Sequence, residues 1–177
     1  MKSIMKEIAR DFEKARNRAA RYAARRTKVA VIKYIRKYYV VKAATLRNAF
    51  VLRFSFSKKG VVTVSIVDAK GESISLIDFG NPKMTPRPKK YKTGKVGGTR
   101  VTKRRGSRQL FPHAFIAQTK SGRKEIFMRK KDKSFPIVKQ TGPTPGQMLT
   151  MKGALRMMED FFFQEFEKEF DRLMNLK

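Results

Sequence analysis

Cysteine is absent from the 177-residue chain, which rules out disulfide frameworks, thiolate zinc sites and cysteine nucleophiles. Histidine occurs once, as His113, so no two imidazoles can share a metal, and a Ser-His arrangement can be drawn only through that residue. No apolar run approaches the roughly 20 residues that a spanning helix needs. The first residues alternate charged with apolar groups instead of forming a signal core. A protein able to fold in a reducing cytoplasm, without a membrane segment, is expected. Acidic side chains are also scarce, 14 against 43 lysines and arginines, for a formal charge of +29. Such a chain repels itself when alone and favours a polyanion or an acidic protein surface.

The charge is unevenly spread. Residues 1–50 carry 15 basic and 3 acidic side chains, and residues 81–133 carry 18 and 2. Residues 156–177 reverse the sign, with 4 basic and 6 acidic. Opposite patches steer association and fix register, so pairing between copies of the chain is one expectation.

Periodicity supplies the elements. Residues 3–39 predict a long helix, with Ile4, Ile8, Phe12, Ala15, Ala19, Tyr22, Val29, Ile32 and Ile35 recurring at three- or four-residue spacing. Ala19, Ala20, Ala23 and Ala24 would let a second helix approach closely, and a short helix over 42–49 follows. Residues 50–57 and 61–67 alternate as a strand pair around the turn Ser57-Lys58-Lys59-Gly60, and a third strand is expected from Ser73 to Phe79. Residues 81–110 are basic and poor in apolar groups, and predict a long flexible loop. A second hairpin is expected within 111–139, with strands at 113–118 and 125–130, followed by a proline-punctuated connector over 134–147.

Residues 146–177 predict one helix with Leu155, Met158, Phe162, Phe166, Phe170 and Leu173 on a stripe widened by Phe161, Phe163 and Met174. So broad an apolar surface suits either a deep core or a contact with another subunit. The whole reads as one α+β domain over 1–177: a long basic N-terminal helix and a C-terminal helix packed on a small antiparallel sheet, with a long basic loop.

Candidate chemistry is sparse. Asp68, Glu72, Asp78, Glu159 and Asp160 are dispersed or point apart, and read as solvated charges. Gly94-Lys95-Val96-Gly97-Gly98 lacks the preceding strand, following helix and Ser or Thr that a phosphate loop requires. The expectation is a protein that is not an enzyme and holds no cofactor or metal. For partner or DNA contact the candidates are Lys89, Lys90, Lys92, Lys95, Arg100, Lys103, Arg104, Arg105 and Arg108, since cations neutralise phosphates or carboxylates without fixed geometry. A subunit interface is expected at Phe161, Phe163, Phe170, Arg21 and Arg25.

From Gly80 onward an ordered series stands out: Ile77-Asp78-Phe79-Gly80-Asn81, then Phe111-Pro112-His113-Ala114-Phe115-Ile116, Gln118-Thr119-Lys120-Ser121-Gly122-Arg123, Ile126-Phe127-Met128-Arg129 and Phe135-Pro136-Ile137-Val138-Lys139. This series resembles the minor tail protein Z family, tail-completion proteins of lambda-like phages and prophages. Its motif residues here are Pro112, Ala114, Phe115, Ile116, Gly122, Arg123, Met128, Arg129 and Pro136, with His113 where that family usually has glycine.

The resemblance implies a virion protein at the head-proximal end of the tail. It also implies a homo-oligomeric ring, on tail symmetry a hexamer, that meets other tail or neck proteins and supports DNA passage, with possible contact to the genomic DNA in the channel. A basic nucleic-acid-binding protein of ribosomal or nucleoid type is the alternative, and it leaves the acidic C-terminal helix without a purpose.

Overall fold

The structure is a computed structural model that describes residues 2–56, 62–68, 71–85, 97–129, 136–150 and 153–175. Two long helices, α1 (Lys2–Tyr38) and α4 (Ala154–Asn175), form an antiparallel hairpin beside three small antiparallel sheets, with short helices α2 (Ala43–Ala49) and α3 (Pro145–Leu149) between. The α+β class is as expected from the sequence, although the strands divide into three sheets rather than one.

The α1–α4 contact works by size complementarity. Ala15, Ala19 and Ala23 recur on one face of α1 and are buried. Against this small-residue surface α4 presents Phe162, Phe166 and Phe170, stacked ring on ring with centroids 6.2 and 5.8 Å apart. Phe12 meets Phe170 edge-on at 5.2 Å, and Arg26 pairs with Glu165 at 3.2 Å, so the chains run in opposite directions. Thr27, buried within the helix, donates its hydroxyl to the Ala23 carbonyl.

The predicted apolar stripe of α1 needs correcting, because Ile4, Ile8, Phe12, Tyr22 and Val29 are exposed. Ile4 lies on the same line as Ala15 but beyond the reach of α4. That helix continues only five residues past Phe170, roughly 7.5 Å at 1.5 Å per residue, whereas Ile4 lies eight residues before Phe12.

The other half of α1 enters the main core. Val31, Ile32, Ile35 and Tyr39 pack with Leu46 of α2 and with Phe50, Leu76, Phe79, Val101, Ile126 and Met148. Strands β1 (Phe50–Phe56) and β2 (Val62–Asp68) pair as the expected hairpin, its turn outside the described residues. Phe50, Leu52 and Phe54 face inward, while Val51, Arg53 and Ser55 are exposed.

Residues 73–79 do not form the expected third strand. Ser75 and Phe79 make isolated bridges to Thr141 and Val41, separated by a 3-10 turn at Leu76–Asp78. The segment from Ile74 to Phe79 is almost wholly buried, so it winds into the core rather than offering one face. Its backbone is satisfied by the connector, through Leu76 N to Gln140 O and Gly142 N to Ile74 O.

Much of the expected basic loop is also ordered sheet. Strands β3 (Lys83–Thr85), β4 (Gly98–Arg104) and β5 (Ser107–Pro112) pair antiparallel, while residues 86–96 lie outside the described residues. Thr99 and Val101 anchor this sheet in the core, joined by the half-buried Phe111, and the rest of β5 is exposed. Charged side chains on such an edge oppose strand-to-strand aggregation, and they gave the segment its loop-like composition.

The expected second hairpin is present as β6 (Ala114–Gln118) and β7 (Lys124–Arg129), joined by β8 (Ile137–Lys139). The C-terminal region is two helices rather than one. Thr144 and Gln147 form a capping box that starts α3, and Gly153, at φ 84°, stands immediately before α4.

Candidate interaction surface

A clasp of buried carboxylates joins the motif segments. Asp78, 7% exposed, accepts hydrogen bonds from Lys42 Nζ at 3.3 Å and Arg123 at 2.5 Å. Glu125, 2% exposed, lies 3.2 Å from Arg123 Nε and 3.0 Å from Lys139 Nζ, and it accepts from the Ser75 hydroxyl. Arg123 therefore bridges both acids, tying the turn before β7 to the 3-10 segment, while Lys42 and Lys139 add α2's approach and β8. Asp78 thus corrects the sequence expectation of a solvated charge: it is buried and paired. Asp78 does sit in an apolar run, Leu76-Ile77-Asp78-Phe79, but the cations that pair with it are remote in the chain.

Burial pushes the Glu125 carboxyl up. The hydrogen bonds from Ser75 and Lys139, with the charges of Lys139 and Arg123, outweigh that effect and hold it below the usual glutamate range. A carboxylate depressed in the folded state contributes stability above its unfolded pKa of about 4.3, and the contribution is lost as pH falls through the folded value. Lys139→Met removes one hydrogen bond and one charge, so acid unfolding followed by circular dichroism should begin at a higher pH than in the wild type. Coincident transitions would show that Glu125 does not set the acid limit.

The remaining motif residues support this clasp and the adjacent sheet. Gly122, at φ 80°, closes the turn that presents Arg123. Ala114 is buried, Ile116 and Met128 pack on the core, and Arg129 lies over the Phe115 ring, 5.4 Å from its centroid. Pro112 and Pro136 are exposed at strand ends. His113 is the one described residue other than glycine with a left-handed backbone, at φ 59°, which accounts for the glycine usual at this position in the family it resembles.

A basic pole forms where the β4–β5 hairpin meets the C-terminal end of α1. Val40 N bonds Lys103 O, Arg105 N bonds Tyr38 O, and the Arg105 side chain donates to the Arg36 carbonyl at 3.0 Å. Arg104 lies over the Tyr39 ring, 5.6 Å from its centroid. Helix carbonyls left open at a C-terminus favour cations there, so the last turn's Arg36 and Lys37 and the incoming Arg105 are locally stabilised. Beside this junction is a cleft of about 500 Å³, walled by Arg36, Lys42, Lys83 and Arg108 over Val40 and Val41. Its single carboxylate, Asp78, is already engaged with Lys42 and Arg123.

The structure therefore brings together Lys103, Arg104, Arg105 and Arg108 of the predicted contact set with Lys83 of the same basic segment, and adds Arg36, which the sequence reading missed. Arg100 is exposed on β4, and Lys89, Lys90, Lys92 and Lys95 lie outside the described residues. Arg21 and Arg25 are exposed on α1, away from this pole. Of the predicted interface aromatics, Phe163 is 60% exposed, Phe161 is half-buried, and Phe170 belongs to the α1–α4 contact.

No group of three or more histidine, cysteine, aspartate or glutamate side chains that could hold a metal occurs among the described residues. Among them, too, no helix is long and apolar enough to cross a membrane. What the fold builds is an α+β body with a basic pole and an acidic, partly apolar helix. The family model described as prophage minor tail protein Z (GPZ) matches residues 2–176, and the chain belongs to that family. It is a structural protein of a phage tail, and hence of the virion. No curated protein and no solved structure is detectably similar to it.

Proposed function

We propose that the protein is a non-catalytic tail-completion subunit that forms a ring, a hexamer on tail symmetry, at the head-proximal end of the tail and supports passage of DNA into the host. The observation that carries this reading is the basic pole. Arg36, Lys83, Lys103, Arg104, Arg105 and Arg108 gather at one end of the body with no ion-pair partner among the described residues. Such a surface serves a contact with an acidic tail or neck protein, because uncompensated charge of one sign steers association with its complement.

Replacing Arg104, Arg105 and Arg108 together with glutamate in the phage genome tests the assignment. All three are exposed, so the fold should survive. A partner contact weakened by about 3 kcal/mol corresponds to roughly 100-fold in affinity, and unjoined heads and tails should accumulate in electron micrographs. Normal joining with normal infectivity would remove the pole from the mechanism. Joined particles that fail to deliver DNA would mean that the pole meets the genome rather than a protein.

A further inference from the structure

The outward face of α4 is a second built surface, and it matches the basic cleft of the same chain. Asp160, Phe163, Glu167 and Asp171 follow at spacings of three or four residues, so they share one face of the helix. All four are exposed, and Phe163 is the most exposed phenylalanine of α4. The carboxylates of this helix that face α1 are engaged: Glu165 pairs with Arg26 and Glu169 with Arg172. Among the described residues Asp160, Glu167 and Asp171 have no cation partner, just as Arg36, Lys83 and Arg108 have no acidic one.

These two surfaces do not pair with each other within one copy among the described residues. Phe170 of α4 meets Phe12 and Glu165 meets Arg26, while the face that carries Asp160, Glu167 and Asp171 is exposed and turned from α1. Arg36 of the cleft lies ten residues, or roughly 15 Å, beyond Arg26, whereas Asp160 lies only five residues, or roughly 7.5 Å, beyond Glu165, and Glu167 and Asp171 lie in the opposite direction.

We propose that the Asp160–Phe163–Glu167 face of α4 in one copy docks into the Arg36–Lys83–Arg108 cleft of the next copy, with Phe163 set against the Val40–Val41 floor. The proposal rests on the reading of the chain as a self-assembling subunit and specifies its contact. Each copy gives one surface and receives the other, so the contact is head-to-tail and closes into a ring when its rotation permits. The net charge of +29 opposes association over long range. At about 0.15 M salt the screening length is ~8 Å, which damps that repulsion more than it damps direct pairs. At about 1 M salt it falls to ~3 Å and the pairs are screened too. Association should therefore be greatest at intermediate ionic strength.

Two charge-reversed proteins provide the test: Asp160→Lys/Glu167→Lys, and Arg36→Glu/Arg108→Glu. Every altered side chain is exposed, and circular dichroism checks that each variant folds. By sedimentation velocity at about 0.15 M salt, each variant alone should self-associate at least about tenfold more weakly than the wild type. An equimolar mixture should regain association, because the reversed face of one meets the reversed cleft of the other and the unaltered surfaces also pair.

A wild-type protein that stays monomeric at every concentration, variants that associate like the wild type, or a mixture that fails to recover would each overturn this contact. The tail-subunit reading is judged separately, by whether the protein is incorporated into phage tails, and could stand in all three cases.

Discussion

Replacing Arg123 with methionine is expected to lower the melting temperature by roughly 5–10 °C, because one guanidinium holds two buried carboxylates. Asp78 and Glu125 are 7% and 2% exposed, and after the change each would retain a single lysine, Lys42 or Lys139. Breaking a fully buried pair from one side costs about 3–5 kcal/mol, whereas surface pairs are worth at most about 1 kcal/mol.

The clasp falls between these limits. Its acids are buried, yet the Arg123 side chain is 55% exposed, so a loss of about 2–3 kcal/mol follows. Arg123→Lys keeps the charge but lacks the planar fork that spans both acids, and it should recover only a minor part of the loss. Calorimetry of the two variants decides the matter. A melting temperature within about 2 °C of the wild type for methionine would mean that Lys42 and Lys139 suffice to hold the two carboxylates.

The second large effect is expected in the helical hairpin. Ala19 and Ala23 are fully buried, one turn apart, on the face of α1 that lies between the Phe12–Phe170 and Arg26–Glu165 contacts. Leucine at both positions adds bulk where the phenylalanine ladder of α4 already fills the space. Overpacking costs about 1–3 kcal/mol per site, and neighbouring sites do not add simply, so a combined loss of about 3 kcal/mol is expected.

Hydrogen exchange gives the specific signature. Amides of α4 should lose protection while those of β4 and β7 keep theirs, because the core around Phe79 and Ile126 does not depend on the Ala19–Ala23 face. Uniform loss of protection across the molecule would show that hairpin and core unfold as one unit.

The two helices, the first hairpin and the β6–β7 hairpin were legible in the sequence because each carries a strong local period. Alternation from Phe50 to Phe54 matched the observed inward face. The Ser73–Phe79 strand was misread because a fully buried segment shows the same apolar run whether it is extended or wound into a turn. Strands β4 and β5 were missed because few of their side chains, Thr99, Val101 and Phe111, reach the core, leaving a composition dominated by solvent-facing cations. The clasp was missed because ion pairing across 36 or 45 residues has no local signature.

Charge segregation, the absence of cysteine chemistry, and the small-against-large pairing of an alanine face with a phenylalanine ladder were determined by the sequence itself, since each is a property of residue identity and spacing. Tertiary structure alone decided which charges are neutralised inside and which remain outside. It buried Asp78 and Glu125 around Arg123, and it gathered Arg36, Lys83 and Arg108 at one cleft from three separate elements. The physical reason is that a charge's environment is set by neighbours remote in the chain, and only folding brings those neighbours within hydrogen-bonding distance.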